Sequence, residues 1–187
     1  MERRYVTIVS GLPRSGTSMM MQMLEAGGLP ALTDNIRRAD EDNPRGYYEF
    51  EPVKKTREDA SWLDGAAGKV VKMVYRLLYD LPQDRPYRVV FTRRRLNEVL
   101  ASQKIMLDRL GRGGDDDEQI AELFRTQLAE FDQWVGRQEC FRLLDVHYRD
   151  VLAEPREQAK RISDFLDGGL DVDAMAAAVD PSLYRNR

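Results

Sequence analysis

Between Gly11 and Ser18 the chain reads Gly-Leu-Pro-Arg-Ser-Gly-Thr-Ser. The spacing of its two glycines is that of the phosphate loop G-x-x-x-x-G-K-[ST]. Such glycines let backbone N–H groups curl around an anion, and the start of the following helix adds positive potential. Thr17 stands where a nucleoside triphosphatase carries the lysine that reaches the β- and γ-phosphates, and the charge inside the loop is Arg14. No strand ends in an aspartate placed to hold Mg²⁺; the chain has Thr92-Arg93-Arg94-Arg95 there. The loop therefore suits an anion rather than Mg-ATP. A plain glycine-rich turn is the alternative. The preceding strand, Arg14, and Thr17 or Ser18 as a helix cap together favour the anion.

A second feature is where positive charge falls. Arg14, Lys72, Arg93, Arg94 and Arg95 lie in or just beyond the carboxyl ends of predicted strands. Ligands of open α/β sheets bind outside those ends. The cluster implies a ligand with several negative charges, with at least one of the three consecutive arginines a solvated surface group. Arg94 and Ser102 stand eight residues apart on a predicted helix, roughly 12 Å of rise. A long arginine can span that distance, although a serine on a half-exposed helix is the plainer reading of the spacing by itself.

Other residues carry less chemistry. Asp115-Asp116-Asp117, beside Gly113-Gly114, reads as a solvated turn rather than a metal site. Met19, Met20, Met21 and Met23 read as core. Cys140 and His147 are the single cysteine and histidine. They exclude an intrachain disulfide, a thiolate metal cluster and a multi-histidine site.

These residues need a scaffold, and the hydrophobic pattern supplies one. Strands are predicted over Tyr5–Val9, Lys69–Val74, Arg88–Thr92 and Phe141–Val146. A helix through Met19–Leu24 stops at Gly27-Gly28, and others run from about Leu96 to Leu110 and from about Asp117 to Gly136. Two more begin near Pro155 and Asp173. In the helix at Asp117, Ile120, Leu123, Phe124, Leu128, Phe131, Trp134 and Val135 follow the helical period. Alternating strands and helices imply βαβ units, a mostly parallel sheet and a three-layer α/β/α architecture. Residues 30–65 are the least regular part and read as a long crossover with some helix near the site.

The 187 residues fit a single domain over 1–187. With 42% apolar and 33% charged residues the chain can build a core and is not intrinsically disordered. Its net charge of −3 and the absence of a basic stripe argue against nucleic acid. No apolar run approaches the roughly 20 residues of a membrane helix. The apolar run near the start, Tyr5–Val9, is shorter than the roughly 7–15 residues of a signal peptide, so a cytoplasmic protein is expected. No surplus apolar stripe forces an oligomer.

Pro13-Arg-Ser-Gly-Thr-Ser18 resembles the 5′-phosphosulfate loop of sulfotransferases that use 3′-phosphoadenosine 5′-phosphosulfate (PAPS). Val89-Val-Phe-Thr-Arg-Arg-Arg-Leu-Asn-Glu-Val-Leu-Ala-Ser-Gln103 is similar to their 3′-phosphate element, an arginine followed eight residues later by serine. Val146-His-Tyr-Arg-Asp-Val-Leu152, with Pro155 and Phe165-Leu166, resembles the family's V-x-Y-E-D-L…P…FL segment. The likeness spans about residues 5–166 and is to compact bacterial members. It implies a P-loop nucleotide-hydrolase-like fold and no metal requirement. By position, Arg14, Ser15, Gly16, Thr17 and Ser18 would hold the 5′-phosphosulfate, and Arg94 and Ser102 the 3′-phosphate.

Three features depart from that family. The K-T-H stretch that supplies a histidine base in many eukaryotic members is Lys72-Met73-Val74 here. The cofactor-closing G-x-x-G-D-W-K segment is replaced by Pro181–Arg187, where Arg185 and Arg187 are the basic residues available. The chain is also short, so the acceptor-binding part is small or shared with a partner. Sulfuryl transfer builds negative charge on the leaving phosphate, where the loop N–H groups, Arg14, Thr17, Ser18 and Lys72 would act. With no histidine in place, Glu49 and Glu51 are the candidate bases, Glu49 preferred, with Tyr47 and Tyr48 flanking an acceptor. The expected activity is metal-independent transfer to a hydroxyl or amine of a small molecule or carbohydrate. A P-loop small-molecule kinase and a nucleotide-binding module without turnover are the alternatives.

Overall fold

The computed structural model describes residues 4–34, 48–109 and 117–180. Asn43–Gly46, Tyr47, Asp115, Asp116, Arg185 and Arg187 lie outside these residues. Five strands form one sheet: β1 (Val6–Gly11), β2 (Ala31–Leu32), β3 (Val70–Lys72), β4 (Tyr87–Arg93) and β5 (Phe141–His147). Their order is β2-β3-β1-β4-β5, and every pairing is parallel. The predicted strands are present with ends shifted by at most two residues. The edge strand β2 is new, because two residues are too few to show an alternation.

Period-two alternation divides the sheet into two apolar faces. Ile8, Val71, Val89, Phe91 and Phe141 point to one core, while Val9, Val70, Val90 and Val146 point to the other. The first face is covered by α2 (Leu96–Arg109), α3 (Asp117–Val135) and three 3-10 turns at Glu51–Lys55, Ser61–Gly65 and Tyr75–Asp80. The second is covered by α1 (Thr17–Ala26), α4 (Tyr148–Ala153), α5 (Pro155–Phe165) and α6 (Val172–Ala177). The result is the expected three-layer α/β/α arrangement. Met20, Met21 and Met23 are buried in the second core, with Met19 packed at its edge.

Aromatic packing fastens α3 to the sheet. Phe131 is fully buried and stacks on Phe91 with ring centroids 5.0 Å apart. Truncating such a residue to alanine costs about 3–5 kcal/mol. Leu123 departs from the predicted stripe: it is 52% exposed, on the outer side of the helix. Its neighbour Phe124 takes the inward position.

The connection after β1 leads through α1 to β2 on one side. The connection after β4 leads through α2 and α3 to β5 on the other. The topological switch point therefore falls between β1 and β4, and the chain ends leaving those two strands border a crevice.

Candidate functional site

The loop after β1 holds its shape through contacts that reach into β4. Gly11 has φ +150° and lies so close to β4 that an added Cβ would sit 2.5 Å from Thr92 Oγ1 and 2.7 Å from its carbonyl oxygen. Ser15 is 1% exposed, and its Oγ donates to the Leu12 carbonyl at 2.7 Å. The same hydroxyl lies 2.6 Å from Thr92 Oγ1, which itself donates to the Ser10 carbonyl at 3.1 Å. The Ser15 N–H also bonds Leu12. The Ser15 hydroxyl and N–H thus hold the loop's curl.

Helix α1 begins at the end of this loop. Its cap is Gly16, with φ 104°, rather than Thr17 or Ser18, and Gly16 makes no side-chain cap bond. Thr17 and Ser18 are the first two helical residues, half-buried. The first turn of a helix offers N–H groups without intrahelical partners, and the cap residue Gly16 has no side chain to cover them. Gly16 also sits against the buried Tyr148, where an added Cβ would lie 2.5 Å from Cδ2 of the ring.

Arg14 has φ 67°, a conformation few non-glycine residues adopt. That geometry carries its side chain across the crevice, where Nε donates to Ser102 Oγ at 3.0 Å. Ser102 is 3% exposed on α2. The sequence pairs Arg94 with Ser102; in the fold Arg14 bonds Ser102, and Arg94 lies against Arg14. Arg94 supports the arrangement from below. Its Nη1 donates to the Arg14 carbonyl at 3.1 Å and its Nε to Glu98 Oε2 at 3.1 Å. Its guanidinium lies 4.5 Å from the centre of the Tyr148 ring. Arg14, Arg94 and Ser102 therefore meet, although the contact from Arg14 to Ser102 closes 88 residues of chain.

The three consecutive arginines have three fates. Arg93 is taken up by Asp145, at 2.6 Å, and by Asp132 on α3. Burial works against its charge, but those two bonds outweigh it and hold the group above the usual arginine range. Arg94 turns to the crevice, and Arg95 is exposed.

On the other side of β1 the site is looser. Lys72 ends β3 and pairs with Val9. Alternation puts it on the α1 face, beside the loop's own strand. Glu49 lies beside Thr33 and Asp34, the residues just after β2, which is two strands from β1 in the sheet. Its carbonyl accepts from the Asp34 N–H at 3.1 Å and from Thr33 Oγ1 at 3.0 Å. Glu51 is tied to Lys54 at 2.5 Å, while Glu49 Oε2 is 4.0 Å from the same Nζ. The Glu51 bond raises the Lys54 pKa. Tyr48 does not face the loop: its hydroxyl donates to Glu25 Oε2 at 2.6 Å. Glu25 is eight residues along α1 from Thr17, roughly 12 Å of rise. Burial and Glu25 hold the phenol protonated well above the normal range. His147, at the end of β5, is exposed.

Thr92, Glu98, Tyr148 and Arg149 belong to this site and were not singled out by sequence. Glu98 had a visible signal, four residues after Arg94 on a helix. Tyr148 and Arg149 lie in the third resembling segment, Val146–Leu152. Among the described residues no group of three or more histidine, cysteine, aspartate or glutamate side chains can hold a metal ion, and no helix is long and apolar enough to cross a membrane.

The donor set and the tight glycine contacts fit a ligand with at least two anionic groups. One would sit in the loop and at the α1 N-terminus, the other between the arginines and Ser102. No family model matches the chain, and no curated protein does. Solved structures share its fold. The sulfotransferase domain of the Synechococcus PCC 7002 olefin synthase aligns over 98% of this chain and 80% of its own, at 14% identity and a TM-score of 0.57. The sulfotransferase domain of the curacin biosynthetic pathway aligns over 96% and 84%, at 14% identity and 0.55. A sulfotransferase from Alicyclobacillus acidocaldarius aligns over 96% and 88%, at 15% identity and 0.54. The chain has a sulfotransferase-like fold.

Proposed function

We propose that the protein is a metal-independent sulfotransferase. It would use PAPS to sulfate a hydroxyl or amine of a small-molecule or carbohydrate acceptor. The observation that carries this reading is the junction of the Gly11–Ser18 loop with the Arg94–Ser102 element through Arg14. A ligand with a 5′-anion and a separate 3′-phosphate is the nucleotide such a pair of sites suits. The shared fold with three sulfotransferases supports it.

Bound PAPS supplies a sulfuryl group already activated as a mixed anhydride with phosphate. The chain's own residues do the rest. The α1 N–H groups, Arg14, Thr17 and Ser18 stabilise charge gathering on the departing phosphate. Lys72, at the adjacent strand end, adds a further cation. Arg94 and Ser102, with Arg14, bind the 3′-phosphate. Glu49 takes the proton released by the acceptor. It is chosen over Glu51 because Lys54 engages Glu51 more closely, and because the Glu49 carbonyl is fastened to Thr33 and Asp34, just after β2.

Calorimetric titration tests the reading, with 3′,5′-diphosphoadenosine (PAP), 5′-AMP and Mg-ATP compared. PAP should bind roughly a hundredfold more tightly than AMP without metal, as expected for a charge-assisted phosphate site. Arg94→Ala should remove most of that preference. Binding of Mg-ATP with no binding of PAP would overturn the proposal and restore the kinase alternative.

A further inference from the structure

We propose that Glu98 is a positioning residue for the 3′-phosphate site, acting through Arg94; this rests on the PAPS reading above. Glu98 stands in the first turn of α2 and is 1% exposed. A carboxylate so buried stays charged only when its oxygens are satisfied by cations. Each oxygen serves a different guanidinium. Oε2 accepts from Arg94 Nε at 3.1 Å, while Oε1 takes Arg149 Nε at 2.9 Å and Nη2 at 2.7 Å. Arg149 lies on α4 beside Tyr148, the ring that packs on Gly16 and lies under the Arg94 guanidinium. One carboxylate thus sets the plane of Arg94 and joins α2, α4 and the phosphate loop.

A negative charge in an anion site is a paradox that makes the inference testable. By Coulomb's law alone Glu98 repels an incoming phosphate, so neutralising it would tighten PAP. If Glu98 works by orienting Arg94, neutralising it weakens PAP. The substitution Glu98→Gln separates the two. It keeps the shape, but an amide has one acceptor oxygen and one NH₂. Whichever way it turns, one guanidinium faces a donor.

PAP and AMP affinities of Glu98→Gln should show the PAP preference falling roughly tenfold, with AMP binding little changed. Removing the competitor should restore it: with Arg149→Ala added, the amide oxygen can serve Arg94. In an Arg94→Ala background Glu98→Gln should have no further effect on the preference, which a merely structural role would not predict. A PAP preference unchanged or increased in Glu98→Gln would overturn the positioning role. So would full additivity with Arg94→Ala. Should Glu98→Gln fail to fold, Glu98→Asp carries the test. It keeps the charge but is one methylene too short to reach both arginines. Its PAP preference should fall roughly threefold, and an unchanged preference would overturn the role. If the unmodified protein does not prefer PAP to AMP, the PAPS reading fails; if it does and Glu98→Gln matches it, only the role of Glu98 fails.

Discussion

The two flanks of β1 are built differently. On the β4 side, Ser15 locks to Thr92, Arg14 to Ser102 and Arg94 to Glu98, through side chains almost all buried. On the β2 side, Glu49 and Glu51 are held by Asp34, just after that two-residue strand, and their common partner Lys54 is 55% exposed. The first flank is preorganised: its donors are held before a ligand arrives, so little ordering entropy opposes binding. The second is adaptable, because exposed ion pairs contribute about 0–1 kcal/mol. A protein that uses one donor and must recognise a particular acceptor gains from this division. On the PAPS reading proposed above, the donor side would have one shape to fit, while the acceptor side could change with few consequences for the core.

The largest expected effect tests the looser flank. Glu49→Gln should lower the rate of sulfuryl transfer by roughly 10²–10⁴, as for loss of a general base, with PAP affinity unchanged. Glu51→Gln should leave the rate within roughly threefold, because Glu51 is half-exposed and tied to Lys54. Radiolabelled transfer from PAPS to a panel of hydroxyl acceptors measures both. Equal losses would erase the distinction drawn between the two glutamates.

The tight flank should break next. Gly11→Ala places a Cβ against Thr92 and Ser15 in a left-handed backbone, and urea unfolding should show a loss of about 3 kcal/mol. A smaller effect is expected at Arg93, which holds α3 and β5 to β4 rather than facing the crevice. Arg93→Ala should cost about 2 kcal/mol of stability while leaving the ratio of PAP to AMP affinity unchanged. Loss of that ratio would place Arg93 in the site after all.

The smallest effect is at Tyr48. Tyr48→Phe should cost about 0.5–1 kcal/mol, the net worth of its hydrogen bond to Glu25. The sign of its pH dependence follows from a phenol whose pKa is raised in the folded state. Its contribution is complete below the unfolded-state pKa near 10 and is lost as the pH rises above it. Thermal unfolding between pH 8 and 11 should therefore show a shallower decline for Tyr48→Phe.

Much of the fold was legible because its signals are local. Val6–Gly11 and Tyr87–Arg93 announce themselves by dense β-branched and aromatic residues, and α3 by its helical period. β2 was not legible, since two residues held by Val70 and Val71 carry no pattern of their own. Of the candidate site, Arg14 and Ser102 were found, but their direct bond was not. That contact depends on the left-handed turn at Arg14, and sequence places no such turn on an arginine.

By itself the sequence determined the glycine-bounded loop after the first strand, the strand-helix alternation and the concentration of positive charge beyond the strand ends. Glycine spacing and side-chain periodicity act within a few residues, so they survive without a fold. Tertiary structure decided which charges are available. Arg93 and Arg94 are chemically identical neighbours, yet partners on α3 and β5 take one, while Glu98 and the Arg14 carbonyl direct the other. Arg93 is the last residue of β4 and Arg94 the first beyond it, and only the folded chain sets which partners each one meets.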